Sequence, residues 1–342
     1  MIRVGICGFG YWGPNLARSF AANPAFRVIA VADRRPECQT RARNAFNSVR
    51  IFDDADELIN SSEVDAIAIA TPVSTHYALT ARALHRGIHV LVEKPLAASV
   101  AEAEELVEIS DAQNAKLIVD HVYIFHDAVL KLKELKRTGV LGTISYYDSL
   151  RVNLGLFQPD MNVLWDLAPH DFSIVDFLFE QDPLHVDATG YCHVNPQLPD
   201  IAYVTVHFAS QMIAHFNLSW MSPVKARRIA VGGSEKMVVW DDLNVEERLK
   251  IYSSGIEFQS EEQRSVILPS YRIGDVYSPR LANIEPVARL VDHFGQVILQ
   301  GCASPVDGRA GLRIVKLLEL SQQALDKSLR TINASTALKV AI

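Results

Sequence analysis

Up to about residue 121, short apolar runs rich in β-branched residues alternate with longer stretches that have the periodicity of amphipathic helices. Runs that are apolar on both faces and are joined by helices predict a parallel sheet covered on both sides. We therefore predict a doubly wound α/β Rossmann domain over residues 1–121. Its predicted strands are residues 4–7, 27–33, 64–72, 87–95 and 115–121.

Beyond about residue 140, predicted strands follow one another without helices between them. Partial period-two alternation predicts an α+β domain with a large, open, mostly antiparallel sheet, and we assign residues 122–342 to it. Helical patterns at 169–180, 285–301 and 308–328 are expected to cover one sheet face, and 253–275 is predicted to be a loop or a sheet edge. The predicted strands are 143–153, 185–194, 200–209, 211–222, 226–233 and 235–242.

Composition excludes several classes of partner. The 342 residues carry a formal net charge of −7 with scattered basic residues, so we expect neither a nucleic-acid nor a membrane partner.

The four cysteines form no CxxC pair, which favours reduced thiols and a cytoplasmic location. No His/Asp/Glu cluster has metal-ligand spacing, so we expect no metal. The second-domain sheet is expected to join a homodimer or homotetramer.

A glycine motif follows the first predicted strand directly. Gly8, Gly10 and Gly13 form G-x-G-x-x-G at the start of a predicted helix, where glycines permit a tight turn and close approach to a pyrophosphate. Pro14 suits the first helical turn. The intervening residues, which we also assign to cofactor binding, are Phe9, Tyr11 and Trp12.

Asp33 ends the second predicted strand, twenty positions after Gly13. A carboxylate there would bind the adenine ribose hydroxyls and repel a 2′-phosphate, which favours NAD over NADP. Arg34 and Arg35 weaken this inference, because a guanidinium could pair with that phosphate. Asp33 as a cap of the next helix remains an alternative.

Two further strand ends carry polar residues where ligands bind in open α/β sheets. The first contains Thr71, Pro72 and His76, and the second contains Glu93 and Lys94 before Pro95. A cis Lys-Pro bond would direct Lys94 into the crevice. A solvated surface lysine is the alternative.

The segment "WDLAPHD" places Asp166 and His170 four residues apart, which on a helix puts both on one face. Pro169 is tolerated only in a first turn, so Asp166 could instead lie in the approach to the helix. The alternatives are Asp166 or Asp171 as a helix cap and His170 as a satisfied buried histidine.

Together, "GFGYWGPN", Asp33, "ATPVSTH", "VEKP" and "WDLAPHD" resemble the Gfo/Idh/MocA oxidoreductases, the glucose–fructose oxidoreductase and inositol dehydrogenase family. The resemblance spans nearly the whole chain. The flanks "GYWGPN" and "NLGLFQPDMNVLWDLAPHD" resemble branches of the family found among nucleotide-sugar and surface-polysaccharide enzymes.

The resemblance implies that Lys94, Asp166 and His170 are catalytic, with His170 as acid/base and Lys94 polarising the reacting oxygen. It implies cofactor contacts from Glu93, Lys94, Thr71, Pro72, His76 and Trp165, besides the glycine loop, Asp33 and Arg34. Asp120 and His121 depart from a family pattern of Gly followed by an aromatic residue or His, which leaves the role of His121 open, and we include it among the substrate residues.

Substrate preference is expected to come from the second domain. Its polar residues before the catalytic segment could bind sugar hydroxyls, or a carboxylate or phosphate through the arginine; structural roles at strand ends or in loops are equally compatible. These residues are Arg151, Asn153, Gln158 and Asn162.

The resemblance implies hydride transfer between a nicotinamide cofactor and a ring carbinol or ketone of a sugar. We predict a nucleotide-linked sugar as substrate, of the 3-dehydrogenase or 3-ketoreductase type. An inositol or free-sugar dehydrogenase is the catalytic alternative. An NAD-binding regulator is the non-catalytic one, although such proteins are expected to lose the Lys94, Asp166 and His170 set.

Overall fold

The computed structural model describes residues 1–155, 157, 161–257 and 270–340, and the side chains within these ranges except those of 257 and 333–340. The chain folds into two units, each made of two segments. The first contains Met1–His126 and Ile284–Glu319, and the second contains Asp127–Asn283 and Leu320–Ile342.

Six parallel strands in the order β3-β2-β1-β4-β5-β6 form the sheet of the first unit. This order, with helices between the strands, confirms the predicted doubly wound fold. The strands are β1 Ile2–Cys7, β2 Phe26–Ala32, β3 Arg50–Phe52, β4 Ala66–Ile69, β5 His89–Val92 and β6 Leu117–Val119. Sequence analysis missed β3, because three residues are too short to show a period.

The second unit has an eight-stranded sheet in the order β16-β13-β12-β11-β7-β10-β9-β8. Only the pairing of β7 with β10 is parallel among its described ladders, which confirms the predicted mostly antiparallel sheet. β14 and β15 pair separately. The strands are β7 Ile144–Leu154, β8 Pro183–Tyr191, β9 Ile201–Phe208, β10 Ile213–Ser219, β11 Met221–Gly233, β12 Met237–Asp241, β13 Leu249–Tyr252, β14 Gly255–Glu257, β15 Ser270–Arg272 and β16 Val276–Tyr277.

Described helices complete both units. They are α1 Gly13–Ala22, α2 Pro36–Ala45, α3 Ala55–Asn60, α4 His76–His85, α5 Val100–Gln113, α6 Asp127–Arg137, α7 Val163–Phe179, α8 Pro286–Gln300 and α9 Gly308–Val340. Short 3₁₀ turns cover Val73–Thr75 and Val122–Phe125.

Helix α7 covers one face of the second sheet, as predicted. Phe172 of α7 meets Phe216 of β10 edge-on, with ring centroids 4.9 Å apart. Along β9, alternate residues such as Val204 are buried whereas Tyr203 is 40% exposed, so the other sheet face carries partly exposed aromatic and polar side chains.

The expectation that residues 285–301 also cover this sheet is wrong. α8 belongs to the first unit, where Phe294 stacks on Phe26 at 6.0 Å between centroids and meets Phe20 edge-on at 6.3 Å. An amphipathic pattern predicts that a helix buries one face, but it does not identify the surface that receives that face.

The predicted boundary after residue 121 lies five residues before the end of the first segment of unit one, and that unit also takes in residues 284–319. Of the predicted loop or edge at 253–275, residues 258–269 lie outside the described ranges. In the flanking described part, β13 and β16 pair at the sheet edge. None of the helices in the described ranges combines the length and the apolar character that crossing a bilayer requires.

Candidate functional site

The glycine loop joins β1 to α1 in a conformation that requires glycine. Gly8 has φ +90°, and a Cβ there would lie 2.5 Å from the Ala70 carbonyl oxygen. A Cβ at Gly13 would lie 2.0 Å from the carbonyl oxygen of Gly8. The loop therefore presents bare backbone at the N-terminus of α1, where helix amides attract an anion.

Asp33, just after β2, is 7% exposed and lies against this loop. Its Oδ2 accepts a hydrogen bond from the Phe9 backbone N–H at 2.7 Å, and its Oδ1 accepts one from the Arg35 backbone N–H at 2.9 Å. Burial disfavours the charge, but hydrogen bonds from Arg35 and Phe9 outweigh it and hold the pKa of Asp33 below its ordinary value. The N-cap residue of α2 is Arg35, not Asp33.

Three arginines surround this edge of the sheet. Arg35 also holds Asp33 through its guanidinium, which lies so near Gly10 that a Cβ there would be 2.9 Å from Nη2. Arg34 is exposed and pairs with Asp54. Arg41 donates to the Phe9 carbonyl oxygen at 2.8 Å. Sequence analysis missed Arg41, because its position on α2 carries no motif.

The glycine loop and Asp33 fit a dinucleotide. The cradle has no room for side chains at Gly8 and Gly13, and α1 offers its first-turn amides beside it. The carboxylate at Asp33 is of the type that binds ribose hydroxyls. Tyr11, in the same loop, is 85% exposed.

At the end of β4, Thr71, Pro72 and His76 form a hydrogen-bonded turn. His76 is fully buried, and its ring nitrogens contact the Pro95 and Thr71 carbonyl oxygens at 2.8 and 2.9 Å. The Thr71 and Thr75 hydroxyls lie 2.6 Å apart. Burial lowers the pKa of His76, and the contacts of its two ring nitrogens link this turn to the Lys94-Pro95 segment.

Glu93 and Lys94 follow β5, and the Lys94-Pro95 bond is cis. The backbone N–H of Lys94 donates to Glu93 Oε2 at 3.2 Å. Asp120 and His121 follow the neighbouring strand β6 and are both 1% exposed. The first unit thus brings Trp12, Glu93, Lys94, Asp120 and His121 to one edge of its sheet.

In the second unit, Asp166 and His170 both lie on α7, one turn apart. Pro169 is inside this helix, so the expectation that Pro169 marks the first turn, with Asp166 in the approach, is wrong. The helix begins earlier because Asn162, its N-cap, accepts a hydrogen bond from the Trp165 N–H. Neither Asp166 nor Asp171 is the cap.

Trp220 orients Asp166. Its indole N–H donates to Asp166 Oδ2 at 3.1 Å, and the indole is 2% exposed. A Cβ at Gly155 would lie 2.3 Å from this ring, so glycine leaves room for it. Sequence analysis missed Trp220, since it is 54 residues from Asp166 and no motif links them.

Two predicted substrate residues are engaged inside the second unit. Arg151 is 5% exposed, and its Nε and Nη2 lie 2.6 and 3.0 Å from the carboxylate oxygens of Asp171. Asn162 caps α7 and donates to Gln322 at 2.8 Å, and Trp165 donates to the same Gln322 oxygen. These contacts give Arg151 and Asn162 structural partners.

Two predicted substrate residues of the second domain remain, and the structure describes one of them. Asn153 on β7 is partly exposed. Gln158 lies outside the described residues. Within the described ranges, no group of three or more His, Cys, Asp or Glu side chains is arranged to hold a metal ion.

Comparison with known proteins finds similarity along nearly the whole chain. A UDP-N-acetylglucosamine 3-dehydrogenase of Acidithiobacillus ferrooxidans is 29% identical over 257 residues, which are 74% of this chain and 78% of that protein. The solved structure of UDP-N-acetylglucosamine 3-dehydrogenase GnnA from that organism matches with a TM-score of 0.81 at 26% identity, covering 96% of this chain and 99% of that one. An inositol 2-dehydrogenase of Rhizobium meliloti is 22% identical over 338 residues, 95% of this chain and 97% of that protein.

Two family models match successive parts of the chain. Residues 2–121 match the oxidoreductase family with an NAD-binding Rossmann fold, and residues 129–239 match the GFO/IDH/MocA C-terminal domain. With its glycine cradle, Asp33, the cis Lys94-Pro95 bond and the mostly antiparallel second sheet, the chain belongs to the GFO/IDH/MocA family of oxidoreductases.

Proposed function

We propose that this protein is an NAD-dependent oxidoreductase that transfers a hydride between nicotinamide and a ring carbinol or ketone of a nucleotide-linked sugar. The similarity to a UDP-N-acetylglucosamine 3-dehydrogenase, over most of both chains, carries this proposal. Oxidation or reduction at the sugar's C3 position is the reaction type that this similarity supports.

The first unit would hold the cofactor. Backbone amides of the glycine loop and of α1 would bind the pyrophosphate, and Asp33 would accept from the adenine ribose hydroxyls. Thr71, Pro72, His76 and Glu93, at the ends of β4 and β5, are proposed to line the nicotinamide half. When bound, NAD supplies the acceptor or donor of the hydride.

The chain's own side chains would handle the proton. When a carbinol is oxidised, its hydroxyl proton must leave, and His170 is assigned as the base because histidine titrates near neutral pH. The Lys94 ammonium would stabilise negative charge that develops on the reacting oxygen. Asp166, held by Trp220, would orient His170 or bind a sugar hydroxyl.

NAD is proposed as the preferred cofactor over NADP. The carboxylate of Asp33 supports this choice, since it would repel a 2′-phosphate. Its pairing with Arg35 reduces that repulsion, so some NADP binding is also expected. The preference is measured directly from the dissociation constants of the two reduced cofactors.

An inositol dehydrogenase is the second candidate, supported by the similarity to inositol 2-dehydrogenase over 95% of this chain. The regulator hypothesis has weaker support, because Lys94, Asp166 and His170 are all present.

Exposed side chains on the second sheet, among them Tyr191 and Tyr203, support a homodimer or homotetramer through that face. A cytoplasmic location remains a prediction from its four free cysteines.

The test is a panel of candidate substrates, with turnover followed by the absorbance of the reduced nicotinamide at about 340 nm. UDP-N-acetylglucosamine, its uronate, free N-acetylglucosamine and myo-inositol would be offered with NAD, and the corresponding 3-ketosugar with NADH. Turnover with a nucleotide sugar well above that with the free sugars and inositol is expected. Turnover only with inositol would replace the proposal by its alternative, and cofactor binding without turnover on any of them would favour the regulator.

A further inference from the structure

Two carboxyl groups, each with a buried oxygen, lie at the ends of β5 and β6. Glu93 follows β5, Asp120 follows β6, and a hydrogen bond links their side chains. Glu93 Oε1 and Asp120 Oδ1 are buried, and no N–H or hydroxyl group of the described residues donates a hydrogen bond to either atom. Two carboxyl groups can hydrogen-bond to each other only when one of them carries a proton.

The surroundings raise the pKa of both carboxyl groups. Burial and the charge of Asp120 raise the pKa of Glu93 well above its ordinary value, with only Lys94 opposing them. Burial also raises the pKa of Asp120, but hydrogen bonds from Glu93 and Trp12 and the charge of Lys94 favour its ionised form. The pair therefore keeps one proton near neutral pH, and one carboxylate remains to balance the charge of Lys94.

The other polar groups packed around Glu93 and Asp120 do not change the net charge of this cluster. The backbone N–H of Val122 also donates to Asp120. His121 is fully buried near Lys94 and Arg313, and burial with those charges lowers its pKa to about 3, so its ring is neutral. Glu93, Asp120 and Lys94 thus carry one negative and one positive charge, a combination that burial tolerates far better than two carboxylates with one ammonium.

The pair connects to the glycine loop through Trp12. The Trp12 indole N–H donates to Asp120 Oδ2 at 2.8 Å, across 108 positions of sequence. Trp12 is also the N-cap residue of α1, and its carbonyl oxygen accepts from Asn15 and Leu16. Its side chain makes no cap hydrogen bond, so the contact with Asp120 fixes the first turn of α1 from outside the helix.

We propose that Asp120 is a positioning residue of the dinucleotide site: through Trp12 it holds the amide-donating N-terminus of α1 against the end of β6. A pyrophosphate bound at α1 needs those amides held in one orientation, because ordering them on binding costs affinity. Asp120 thus links the pyrophosphate end of the site to the end that carries Lys94.

The inference rests on the proposed binding of a dinucleotide at the glycine loop, so its first test is NAD(H) affinity by calorimetry with the full-length protein. Asp120→Ala and Trp12→Phe should each weaken binding by about tenfold, and the double variant should be no weaker than either single one. Asp65→Ala is the matched control. Asp65 precedes β4, at the opposite end of the same sheet, and binds Arg3, so its loss should leave the affinity unchanged.

Asp120→Asn separates positioning from folding. Its amide oxygen can accept from the Trp12 indole and its NH₂ can donate to Glu93, so affinity should return to within about twofold of the wild type. The shared proton is read separately, as the C=O stretch of a protonated carboxyl in the infrared spectrum near neutral pH. Glu93→Gln and Asp120→Asn should both remove this band, and Asp65→Ala should retain it.

The outcomes are distinguishable. A wild-type protein that binds neither NAD(H) nor NADP(H) would overturn the proposed function and the positioning role together. A binding wild type whose Asp120→Ala variant folds and binds equally well would overturn the positioning role alone. Additive losses in the double variant, or an infrared band that persists in Glu93→Gln, would show that Trp12, Asp120 and Glu93 do not act as one unit.

Discussion

The guanidinium of Arg35 holds both carboxylate oxygens of Asp33, with Nε 3.0 Å from Oδ1 and Nη2 2.9 Å from Oδ2. The Arg35 side chain is 55% exposed, whereas that of Asp33 is 4% exposed. The carboxylate of Asp33 is therefore buried, whereas the guanidinium of Arg35 that pairs with it is largely exposed. This guanidinium carries the positive charge with which a 2′-phosphate would pair.

Arg35→Gln should increase the preference for NAD over NADP. The change frees Asp33 to accept from ribose hydroxyls and removes a cation near the 2′-phosphate, so the ratio of the two dissociation constants should change by about threefold to tenfold. Fluorescence titration with NADH and NADPH measures this ratio. Arg3→Gln is the control, since Arg3 pairs with Asp65 at the opposite end of the same sheet, and an equal change in that variant would contradict the specific role of Arg35.

Lys94→Ala and His170→Ala should each lower kcat by about a hundredfold or more while NAD still binds, because charge stabilisation and proton transfer act on the reaction itself. Initial rates with the substrate identified by the panel, together with NADH affinity, measure both effects. Lys131→Ala, which removes a partly exposed lysine paired with Glu134 on α6, should keep full turnover. Full turnover in both site variants would reject the catalytic assignment.

Arg151→Ala should lower the free energy of unfolding by about 3–5 kcal/mol, because it leaves Asp171 buried without its cation. Urea unfolding measures the loss. Arg3→Ala removes a pair with Asp65 in which both side chains are more than 40% exposed, and it should cost less than about 1 kcal/mol. A folded Arg151→Ala variant of unchanged stability and much weaker substrate binding would instead support the substrate role of Arg151.

His121 should make stability fall in acid. Its folded pKa is about 3 because of burial and the neighbouring Lys94 and Arg313 charges, below the ordinary value of 6.5. Between these two values the unfolded chain binds a proton that the folded chain does not, so His121 lowers the free energy of unfolding by about 1.4 kcal/mol per pH unit as the pH falls. Above about pH 6.5 this contribution is constant.

Urea unfolding between about pH 7 and pH 5 checks this slope. His121→Phe should flatten it by the amount that His121 contributes. The exposed His85 gives the matched control, since solvent surrounds its side chain in both states and His85→Gln should leave the slope unchanged. Equal slopes in the wild type and His121→Phe would show that His121 takes up its proton equally in the folded and the unfolded protein, which would contradict the lowered pKa.

Much of the first unit is predictable from local pattern. Its strand runs are apolar on both faces, and β1, β2, β4, β5 and β6 lie within or overlap the predicted runs. The glycine spacing with Asp33 indicated the cradle, because the tight turn at Gly8 and the close approach at Gly13 exclude a Cβ. These are constraints that neighbouring residues impose on each other.

The candidate site of the second unit was harder to predict. Pro169 indicated a helix start, yet α7 begins six residues earlier, at Val163, because Asn162 caps it and its apolar face, including Phe172, is buried on the sheet. Tertiary packing compensates for the hydrogen bond that a proline inside a helix cannot donate. Trp220 and Gln322 act on Asp166 and Asn162 from distant positions, so no local pattern revealed them.

The sequence by itself determined the two kinds of sheet, the glycine cradle, Asp33 and the placement of Lys94 after a strand, since these follow from periodicity and from the steric limits of short segments. Only the tertiary structure decided that α8 packs on the first unit, that Arg151 is committed to Asp171, and that Trp12, Asp120 and Glu93 form one hydrogen-bonded chain. Burial, charge pairing and the sharing of a proton depend on which distant residues meet, and folding alone sets those contacts.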